Sequence, residues 1–176
     1  MNGIGVPVPL LGSSSNTRFA GFASVARHLG GCRYLGQCVQ PDIAGVLNAG
    51  SAHRGEFGSY ENIVKAKGEL YGCLRAGGTA VMNLDDIATE QWVAEVSHRT
   101  MFSFSVNDKD ADLSARNIDC LEAGSRFDIC YRGEKQAVFV RLPGRHNVSN
   151  EFAARAVALL TGMSLAEVLD GVALDV

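Results

Sequence analysis

The sequence predicts an α/β fold in which a mostly parallel sheet, flanked by helices, is extended by an antiparallel β-meander. Three short apolar segments alternate with segments of helical periodicity, which is typical of parallel βαβ units. Three later segments alternate apolar and polar residues around tight turns, which indicates antiparallel strands. At 176 residues, the chain fits a single domain.

The first parallel unit begins with a buried strand at residues 43–47. Asn48-Ala49-Gly50 follows as a loop at the carboxyl end of this strand. Ser59 is predicted to cap a helix that runs to about Arg75, where Ala76-Gly77-Gly78 ends it. A helix between two apolar strands is typical of a βαβ unit.

The second and third strands are predicted at residues 79–82 and 101–106, where two further apolar runs occur. Between them, Asp85 and Asp86 are predicted to cap a helix over residues 87–98. Apolar residues recur on one face of this helix. The sheet is therefore expected to be parallel, with helices packed on it.

The rest of the chain is predicted to form the antiparallel meander and two helices. The meander strands cover residues 115–121, 126–131 and 137–142. Tight turns are expected at residues 123–124 and 132–133, each of which ends in glycine. A long helix is expected to begin with Asn147 as its N-cap, and Ser164 is predicted to cap a short last helix.

The composition is typical of a folded globular protein and excludes several classes of partner. Hydrophobic residues make up 47% of the chain and charged residues 20%, and the net charge is −3. Because there is no run of basic residues, a nucleic-acid partner is not expected. Since no apolar run has the roughly 18 to 20 residues that a membrane helix needs, we expect no membrane partner and a cytoplasmic protein.

Several kinds of site are excluded by missing motifs. The five cysteines form no C-x-x-C pair, so they are expected to be reduced and mostly buried rather than held in disulfides or a zinc site. There is no G-x-S-x-G motif, which excludes a common form of acyl-enzyme chemistry. There is also no G-x-x-x-x-G-K-[ST] loop, so the chain has no obvious cradle of its own for a triphosphate.

Lys67 is the first candidate for a functional residue, because it lies in the middle of an apolar helical stripe. The stripe consists of Ile63, Ala66, Leu70 and Leu74. Two explanations remain open: the stem packs while the ammonium reaches water, or the amine serves an inward-facing site. Lys65 is expected to point the other way, into solvent.

His53 is predicted to lie in a loop between the carboxyl end of a strand and the start of a helix. Open α/β sheets bind ligands at that edge, although a surface or hydrogen-bonding role is the alternative. His53 and Glu56 are too few for a zinc site, which takes four ligands. Magnesium takes only one or two protein ligands together with phosphate oxygens, so His53 is a candidate magnesium ligand.

Asn83, Asp85 and Asn147 are also predicted to lie at or near the ends of strands. Each has a structural alternative, because Asn83 and Asp85 could simply end a strand and cap a helix, and Asn147 could be an N-cap. Arg145 belongs to the loop before Asn147. The convergence of these residues with His53 indicates one site at the edge of the sheet.

Seven segments carry a resemblance to a known family. They are Ile4-Gly-Val-Pro7, Gln40-Pro-Asp-Ile43, Ala52-His53, Phe57-Gly-Ser59, Ala66-Lys67-Gly-Glu69, Asn83-x-Asp85-Asp86 and Pro143-Gly-Arg-His-Asn147. Together they resemble the P-loop-like central domain of the Mur ligases. Within that family they are most similar to the members that add D-alanyl-D-alanine.

The resemblance implies an ATP-dependent, ADP-forming ligase of peptidoglycan precursor synthesis. Its substrates would be UDP-N-acetylmuramoyl-tripeptide and D-alanyl-D-alanine. A substrate carboxylate would take the γ-phosphoryl group of ATP, and the amine of D-alanyl-D-alanine would attack the resulting acyl phosphate. Since phosphoryl transfer depends mostly on positioning and charge neutralisation, Mg²⁺ is the expected cofactor beside ATP.

The resemblance also implies roles for individual residues. His53 would be a catalytic magnesium ligand. Lys67 would be the catalytic lysine that becomes carbamylated, which turns a cation into an anion able to hold magnesium. Asn147 matches the asparagine that contacts adenine, and Asp85 lies in a motif near the nucleotide. The predicted cofactor-binding residues are Asn83, Asp85, Arg145 and Asn147.

The sequence departs from the family pattern at three places. In the family, a phosphate loop precedes the Ile-Gly-Val-Pro motif and a C-terminal domain follows the central one. Residues 1–176 are therefore expected to be a central domain truncated at both ends, without the phosphate loop and the N-terminal and C-terminal domains. Ala23 takes the place of a magnesium-binding glutamate, and Gly31 that of a further acidic residue.

Residues 12–32 match the family less well than their flanks do, which favours a truncated or frame-disrupted gene product. The alternative function is a catalytically inactive nucleotide-binding or interaction fragment of such a ligase. Loss of the first strand and helix of a parallel sheet would uncover an edge and apolar faces. We therefore also expect self-association through an exposed sheet edge.

Overall fold

The computed structural model describes residues 16–23, 28–50, 57–107 and 110–172. The strands are β1 (Ile43–Val46), β2 (Thr79–Asn83), β3 (Thr100–Ser105), β4 (Leu113–Leu121), β5 (Gly124–Tyr131) and β6 (Glu134–Val140). The helices are α1 (Gly31–Val39), α2 (Tyr60–Gly68), α3 (Thr89–Glu95), α4 (Arg145–Leu160) and α5 (Leu165–Val172), with a 3₁₀ turn at Tyr71–Cys73. Within these ranges no helix is long and apolar enough to span a membrane.

The strands form one sheet in the order β1-β2-β3-β4-β5-β6. Pairing is parallel from β1 to β4 and antiparallel from β4 to β6. The predicted α/β fold, with its parallel strands and its meander, is therefore confirmed. Because β1, β2 and β3 run in the same direction, their carboxyl ends meet at one edge, where the following loops can share a site. Self-association through an outer strand stays a prediction.

Helices pack on both faces of the sheet, because successive side chains of a strand point to opposite faces. Met82 of β2 faces a core that contains Trp92 of α3. Val81, next to Met82, faces the second core, which contains Phe127 and Phe152. The rings of these two phenylalanines lie 5.5 Å apart in an edge-to-face arrangement. A parallel sheet buried on both faces explains the nearly continuous apolar character of its strands.

Two predicted helix caps are confirmed. Ser59 is the N-cap of α2, and its hydroxyl oxygen accepts a hydrogen bond of 3.2 Å from the N–H of Asn62. Ser164 precedes α5, and its hydroxyl oxygen accepts from the N–H of Glu167 at 3.3 Å. Glu167 in turn accepts from the N–H of Ser164 at 2.8 Å, which completes a capping box.

The helix predicted to end at Arg75 is shorter in the structure. α2 ends at Gly68, and the 3₁₀ turn follows. The Tyr71 hydroxyl accepts a hydrogen bond of 3.1 Å from the N–H of Val46 and donates one of 3.0 Å to the carbonyl of Val81. These bonds attach the chain after α2 to β1 and β2. Tertiary contacts of Tyr71 therefore override the local helical pattern.

Two other predicted helix starts are wrong. α3 begins at Thr89 rather than directly after Asp86, and its N-cap residue makes no side-chain capping bond. α4 begins at Arg145, so Asn147 lies in the first turn and is not the N-cap. The N-cap is Gly144, whose φ of 93° is a conformation that favours glycine. The aspartates and the asparagine use their side chains elsewhere, as described below.

Helix α1 is not among the predicted elements. Its amino end is held by the Glu69 carboxylate, which accepts hydrogen bonds from the N–H of Gly30 at 2.9 and 3.0 Å and from that of Arg33 at 3.3 Å. Gly31 and Gly36 weaken the local helical signal. A cap supplied from the far end of α2 cannot be found by examining local sequence.

The cysteines differ in part from the expectation. All five are free, as predicted. However, Cys32 alone is buried, whereas Cys38 and Cys120 are exposed and the other two are half-buried. The prediction that most of them are buried is wrong, because Cys38 lies on the solvent side of α1 and Cys120 lies near the exposed end of the β4–β5 hairpin.

Candidate functional site

The carboxyl ends of β1 and β2 bring several predicted residues to one edge of the sheet. β1 leads into Asn48, and β2 ends at Asn83 and leads into Asp85 and Asp86. Lys67 reaches the same edge from the last turn of α2. His53 lies outside the described residues, so its predicted role stays a prediction. Ala23, which the resemblance predicts to stand in place of a glutamate, is exposed and outside any helix or strand.

The Lys67 amine is directed toward the end of β1. Its Nζ atom donates a hydrogen bond of 2.8 Å to the backbone carbonyl of Asn48. The side chain is half-buried, and this burial lowers the pKa of Lys67, whereas the nearby Asp86 carboxylate acts in the opposite direction. Lys65 is exposed, as predicted. Lys67 therefore makes a specific polar contact and keeps a larger neutral fraction than an ordinary lysine.

Asp86 fixes the loop after β1. One carboxylate oxygen accepts a hydrogen bond of 2.8 Å from the N–H of Ala49, and the other accepts one of 2.8 Å from the N–H of Ala88. Gly50 lies beside this contact with a φ of 68°, and a Cβ there would lie 3.1 Å from Asn48 Oδ1. The backbone of this loop therefore lies between the Lys67 amine of α2 and the Asp86 carboxylate.

Asn83 joins the ends of β1 and β2. Its Nδ2 atom donates to the carbonyl of Leu47 at 2.7 Å, and its Oδ1 atom accepts from the N–H of Asp85 at 3.0 Å. Its own carbonyl accepts a hydrogen bond from the Thr89 hydroxyl. Both side-chain groups of this buried amide are bonded within the chain, so the role of Asn83 is to hold the ends of β1 and β2 in place.

Asp85 and Arg145 both bind the chain at the end of β3 without contacting each other. The Asp85 carboxylate accepts hydrogen bonds from the Ser105 hydroxyl at 2.7 Å and from the N–H of Val106 at 2.6 Å. Arg145 Nη1 donates to the carbonyl of Val106 at 2.6 Å and to Asn107 Oδ1 at 3.0 Å. The segment from Asn83 to Asp86 therefore connects the Lys67 end of the site to the start of α4.

Asn147 lies in the first turn of α4, two residues after Arg145. Its Nδ2 atom donates a hydrogen bond of 2.7 Å to the carbonyl of Pro143. Its Oδ1 atom accepts no hydrogen bond from the residues that the structure describes. This oxygen is therefore open to a donor group of a ligand, which is the polarity that an adenine amino group requires.

Sequence reasoning missed part of this arrangement. Asp86 was assigned only a capping role, and Asn48 only a place in a loop, yet both contribute to the surroundings of the Lys67 amine. The signal that could have found Asp86 is its position three residues after the end of β2. Among the described residues, no group of three or more His, Cys, Asp or Glu side chains could hold a metal ion.

Comparison with known proteins identifies the family. The family model of the Mur ligase middle domain matches residues 2–158. The chain belongs to the Mur ligase family. A crystal structure of MurF from Acinetobacter baumannii resembles this Mur ligase domain with a TM-score of 0.91 and 32% sequence identity. The match covers 97% of this chain and 37% of that one.

Two ligases are similar to this Mur ligase domain over nearly its whole length. The UDP-N-acetylmuramoyl-tripeptide–D-alanyl-D-alanine ligase of Escherichia coli is 33% identical over 98% of this chain and 38% of its own length. The ligase of the same name from Haemophilus influenzae is 37% identical over 97% of this chain and 36% of its own length. This chain therefore spans less than two fifths of the length of these relatives.

A more distant structure supports the fold alone. MurF ligase from Thermotoga maritima, solved in complex with ADP, is 22% identical and has a TM-score of 0.73 over 86% of this chain and 34% of that one. The shared sheet and helices agree with the architecture described above.

The lowered pKa of Lys67 predicts a pH dependence of stability. We expect the free energy of unfolding of the wild-type chain to rise, relative to that of Lys67→Met, as the pH increases toward 10.5, the ordinary pKa of lysine. The folded pKa lies below the unfolded one, so the unfolded chain binds more protons between the two values and stability increases with pH there. Urea denaturation at a series of alkaline pH values measures this difference.

The exposed Lys65 supplies the control for this experiment. Lys65→Met removes a positive charge from the same helix without removing the Asn48 contact. If the curves of wild type and Lys67→Met stay parallel over the alkaline range, the environment assigned to Lys67 is wrong.

Proposed function

We propose that this chain is the nucleotide-binding central domain of an ATP-dependent amide ligase of peptidoglycan precursor synthesis, acting in the cytoplasm. The observation that carries the proposal is the Lys67 amine, which is directed at the Asn48 carbonyl beside Asp86 at the carboxyl edge of the sheet. The names of the relatives from Escherichia coli and Haemophilus influenzae support UDP-N-acetylmuramoyl-tripeptide and D-alanyl-D-alanine as substrates. Membership of the Mur ligase family supports ATP as the nucleotide.

The proposed reaction forms one amide bond and converts ATP to ADP and phosphate. A carboxylate oxygen of the tripeptide attacks the γ-phosphorus, and ADP leaves. The amine of D-alanyl-D-alanine then attacks the acyl carbon, loses a proton, and phosphate leaves. No protein nucleophile is needed, so the contribution of the domain is to position the reactants and to organise charge around them.

The residues at this edge fit magnesium once Lys67 is carbamylated. A neutral amine adds carbon dioxide to give a carbamate and a proton, and the half-buried Lys67 has a lowered pKa that favours the neutral form. The carbamate would then lie near Asp86, whose negative charge would add to the attraction for a hard divalent cation while its oxygens stay bonded to the N–H groups of Ala49 and Ala88. Magnesium, when bound, would neutralise charge on the phosphates. His53 would complete the protein ligands.

At the other end of the site, Asn147 supports recognition of the base. Its Oδ1 atom is the open acceptor in the first turn of α4, and its Nδ2 atom is already held by Pro143. That bond fixes the orientation of the amide, so the oxygen is prearranged for the adenine amino group. Specificity for adenine would follow because a base that offers an acceptor at that position leaves Oδ1 unpaired.

Calorimetric titration of the chain with magnesium and ATP tests the proposal. We expect saturable, magnesium-dependent binding that Asn147→Ala weakens about tenfold, the typical effect of losing one hydrogen bond of about 1.4 kcal/mol. Gln136→Ala, at an exposed position of β6, should leave binding unchanged. Absence of binding at millimolar ATP would overturn the nucleotide-binding role and leave an inactive fragment of a Mur ligase.

A further inference from the structure

Val106 is held through both of its backbone groups by residues from opposite ends of the candidate site. Its N–H donates to Asp85 Oδ2 at 2.6 Å, and its carbonyl accepts from Arg145 Nη1 at 2.6 Å. Asp85 follows β2, and Arg145 is the first residue of α4. Val106 is itself buried, with 3% of its surface exposed. A single buried residue therefore connects the two predicted halves of the site.

We infer that Asp85 and Arg145 are positioning residues that set the place of Asn147 through Val106. These three residues, Asp85, Val106 and Arg145, form what we term the Val106 clamp. The inference rests on the proposed nucleotide site, since Asn147 is its adenine contact. Arg145 and Asn147 share the first turn of α4, so the anchor on Arg145 fixes the direction in which that turn leaves the sheet.

The contacts of Asp85 argue against a role as a direct ligand. Each of its two oxygens already accepts a hydrogen bond from the chain, one from Ser105 and one from Val106. Hydrogen bonds to an ionised carboxylate are stronger than those between neutral groups. A ligand would have to displace them, and the buried N–H of Val106 would then lack a partner. The carboxylate is therefore committed to holding the end of β3.

Arg145 completes the clamp from the other side. Its Nη1 atom donates to the Val106 carbonyl and also to Asn107 Oδ1 at 3.0 Å. Both acceptors lie just after β3, so the guanidinium fixes the connection that leaves this strand. The hydrogen bonds of Asp85 and Arg145 are both made to Val106, so weakening one of them should also weaken the other. The effects of replacing Asp85 and of replacing Arg145 on nucleotide affinity are therefore expected to be non-additive.

Hydrogen exchange of the ligand-free chain tests the clamp. Asp85→Asn keeps the size of the side chain but removes its charge. We expect the amides of residues 144–150, which Asp85 does not contact directly, to exchange several-fold faster in this variant. Asp112→Asn is the matched control, because Asp112 Oδ2 also accepts from a backbone N–H (Ser103, 2.8 Å) and from a serine hydroxyl (Ser103, 2.7 Å) on β3, but not at the clamp. It should leave residues 144–150 unchanged.

Magnesium-ATP affinity supplies the second measurement. We expect Asp85→Asn to weaken binding about tenfold, as for the loss of one charge-assisted contact, and Asp112→Asn to leave it unchanged. The double variant Asp85→Asn/Arg145→Gln should bind magnesium-ATP no more weakly than whichever of the two single variants has the lower affinity. If Asp85→Asn does not fold, Arg145→Gln probes the same clamp, and residues 105–107 should then exchange faster.

Each outcome decides the inference. Unchanged exchange at residues 144–150 in Asp85→Asn overturns it, whether or not nucleotide binds. Faster exchange with unchanged ATP affinity also overturns it, because the clamp would then be structural only. If the wild-type chain binds no ATP, the proposed function fails, whereas faster exchange would still establish the link between Asp85 and the start of α4.

Discussion

Replacing Glu151 with alanine is expected to lower the free energy of unfolding by about 3–5 kcal/mol. Glu151 and Arg155 form a buried ion pair one turn apart on α4, and Arg155 is only 1% exposed. Arg155 Nε donates to Glu151 Oε1 at 3.0 Å, and Nη2 donates to the same oxygen. Alanine at position 151 would leave a guanidinium charge in the core without a counterion.

Replacing both residues of this pair should destabilise the protein much less than removing Glu151 alone. Glu151 Oε2 and Arg155 Nη1 have no hydrogen-bond partner within the described part of the chain, so the pair only partly offsets its own desolvation. We expect Glu151→Leu/Arg155→Met to be less destabilising than Glu151→Ala, because two apolar side chains of similar length fill the space without a buried charge.

Urea denaturation followed by circular dichroism measures these effects. The exposed pair of Asp42 and Arg75, with a 3.1 Å separation and side chains 71% and 54% exposed, is the control. Asp42→Ala should change the free energy of unfolding by less than about 1 kcal/mol, because solvent screens the attraction. A Glu151→Ala variant as stable as Asp42→Ala would show that the charge on Arg155 reaches water in the folded chain.

The sheet and the caps of α2 and α5 could be predicted because their signals are local. Each strand was marked by an apolar or alternating run, and Ser59 and Ser164 were recognisable by type and position. The end of α2 was not predictable, since the Tyr71 hydroxyl is bonded to β1 and β2, which lie 25 residues before it and 10 residues after it. α1 was not predicted for the same reason, because the residue that caps it, Glu69, lies 36 to 39 residues away in the sequence.

The candidate site could likewise be predicted only in part. Lys67 was identified by its place in an apolar stripe, and its contact with Asn48 favours the inward-facing explanation over snorkelling into water. The role of Asp85 was not predictable from sequence, because its partners Ser105 and Val106 lie on another strand end, 20 and 21 residues away. Local pattern thus located the residues at the edge, whereas the bonds that order them depend on tertiary pairing.

Replacing Gly124 with alanine is expected to lower the free energy of unfolding by about 3–5 kcal/mol, because overpacking and backbone strain act together. Gly124 begins β5 with a φ of 155°, which side-chain-bearing residues rarely adopt. A Cβ there would overlap the carbonyl oxygen of Val140 and lie 2.8 Å from Cζ of Phe139. The ring could rotate away, but the Val140 carbonyl belongs to β6 and cannot move without loosening the pairing of β5 with β6.

Gly133, in the next turn of the meander, allows the cost of backbone strain to be measured separately from that of steric overlap. Its φ is 83°, yet a Cβ there would meet no atom within 4 Å. Gly133→Ala should therefore cost only the backbone term, about 1 kcal/mol. Thermal and urea denaturation of the two variants measure the difference. If both variants lose the same free energy of unfolding, the β5–β6 pairing can shift to accommodate a Cβ at position 124 without loss of stability. The hairpin would then be less rigid than its regular pairing implies. A much larger loss for Gly124→Ala would establish that close packing of the two backbones, rather than turn geometry alone, requires glycine at this position.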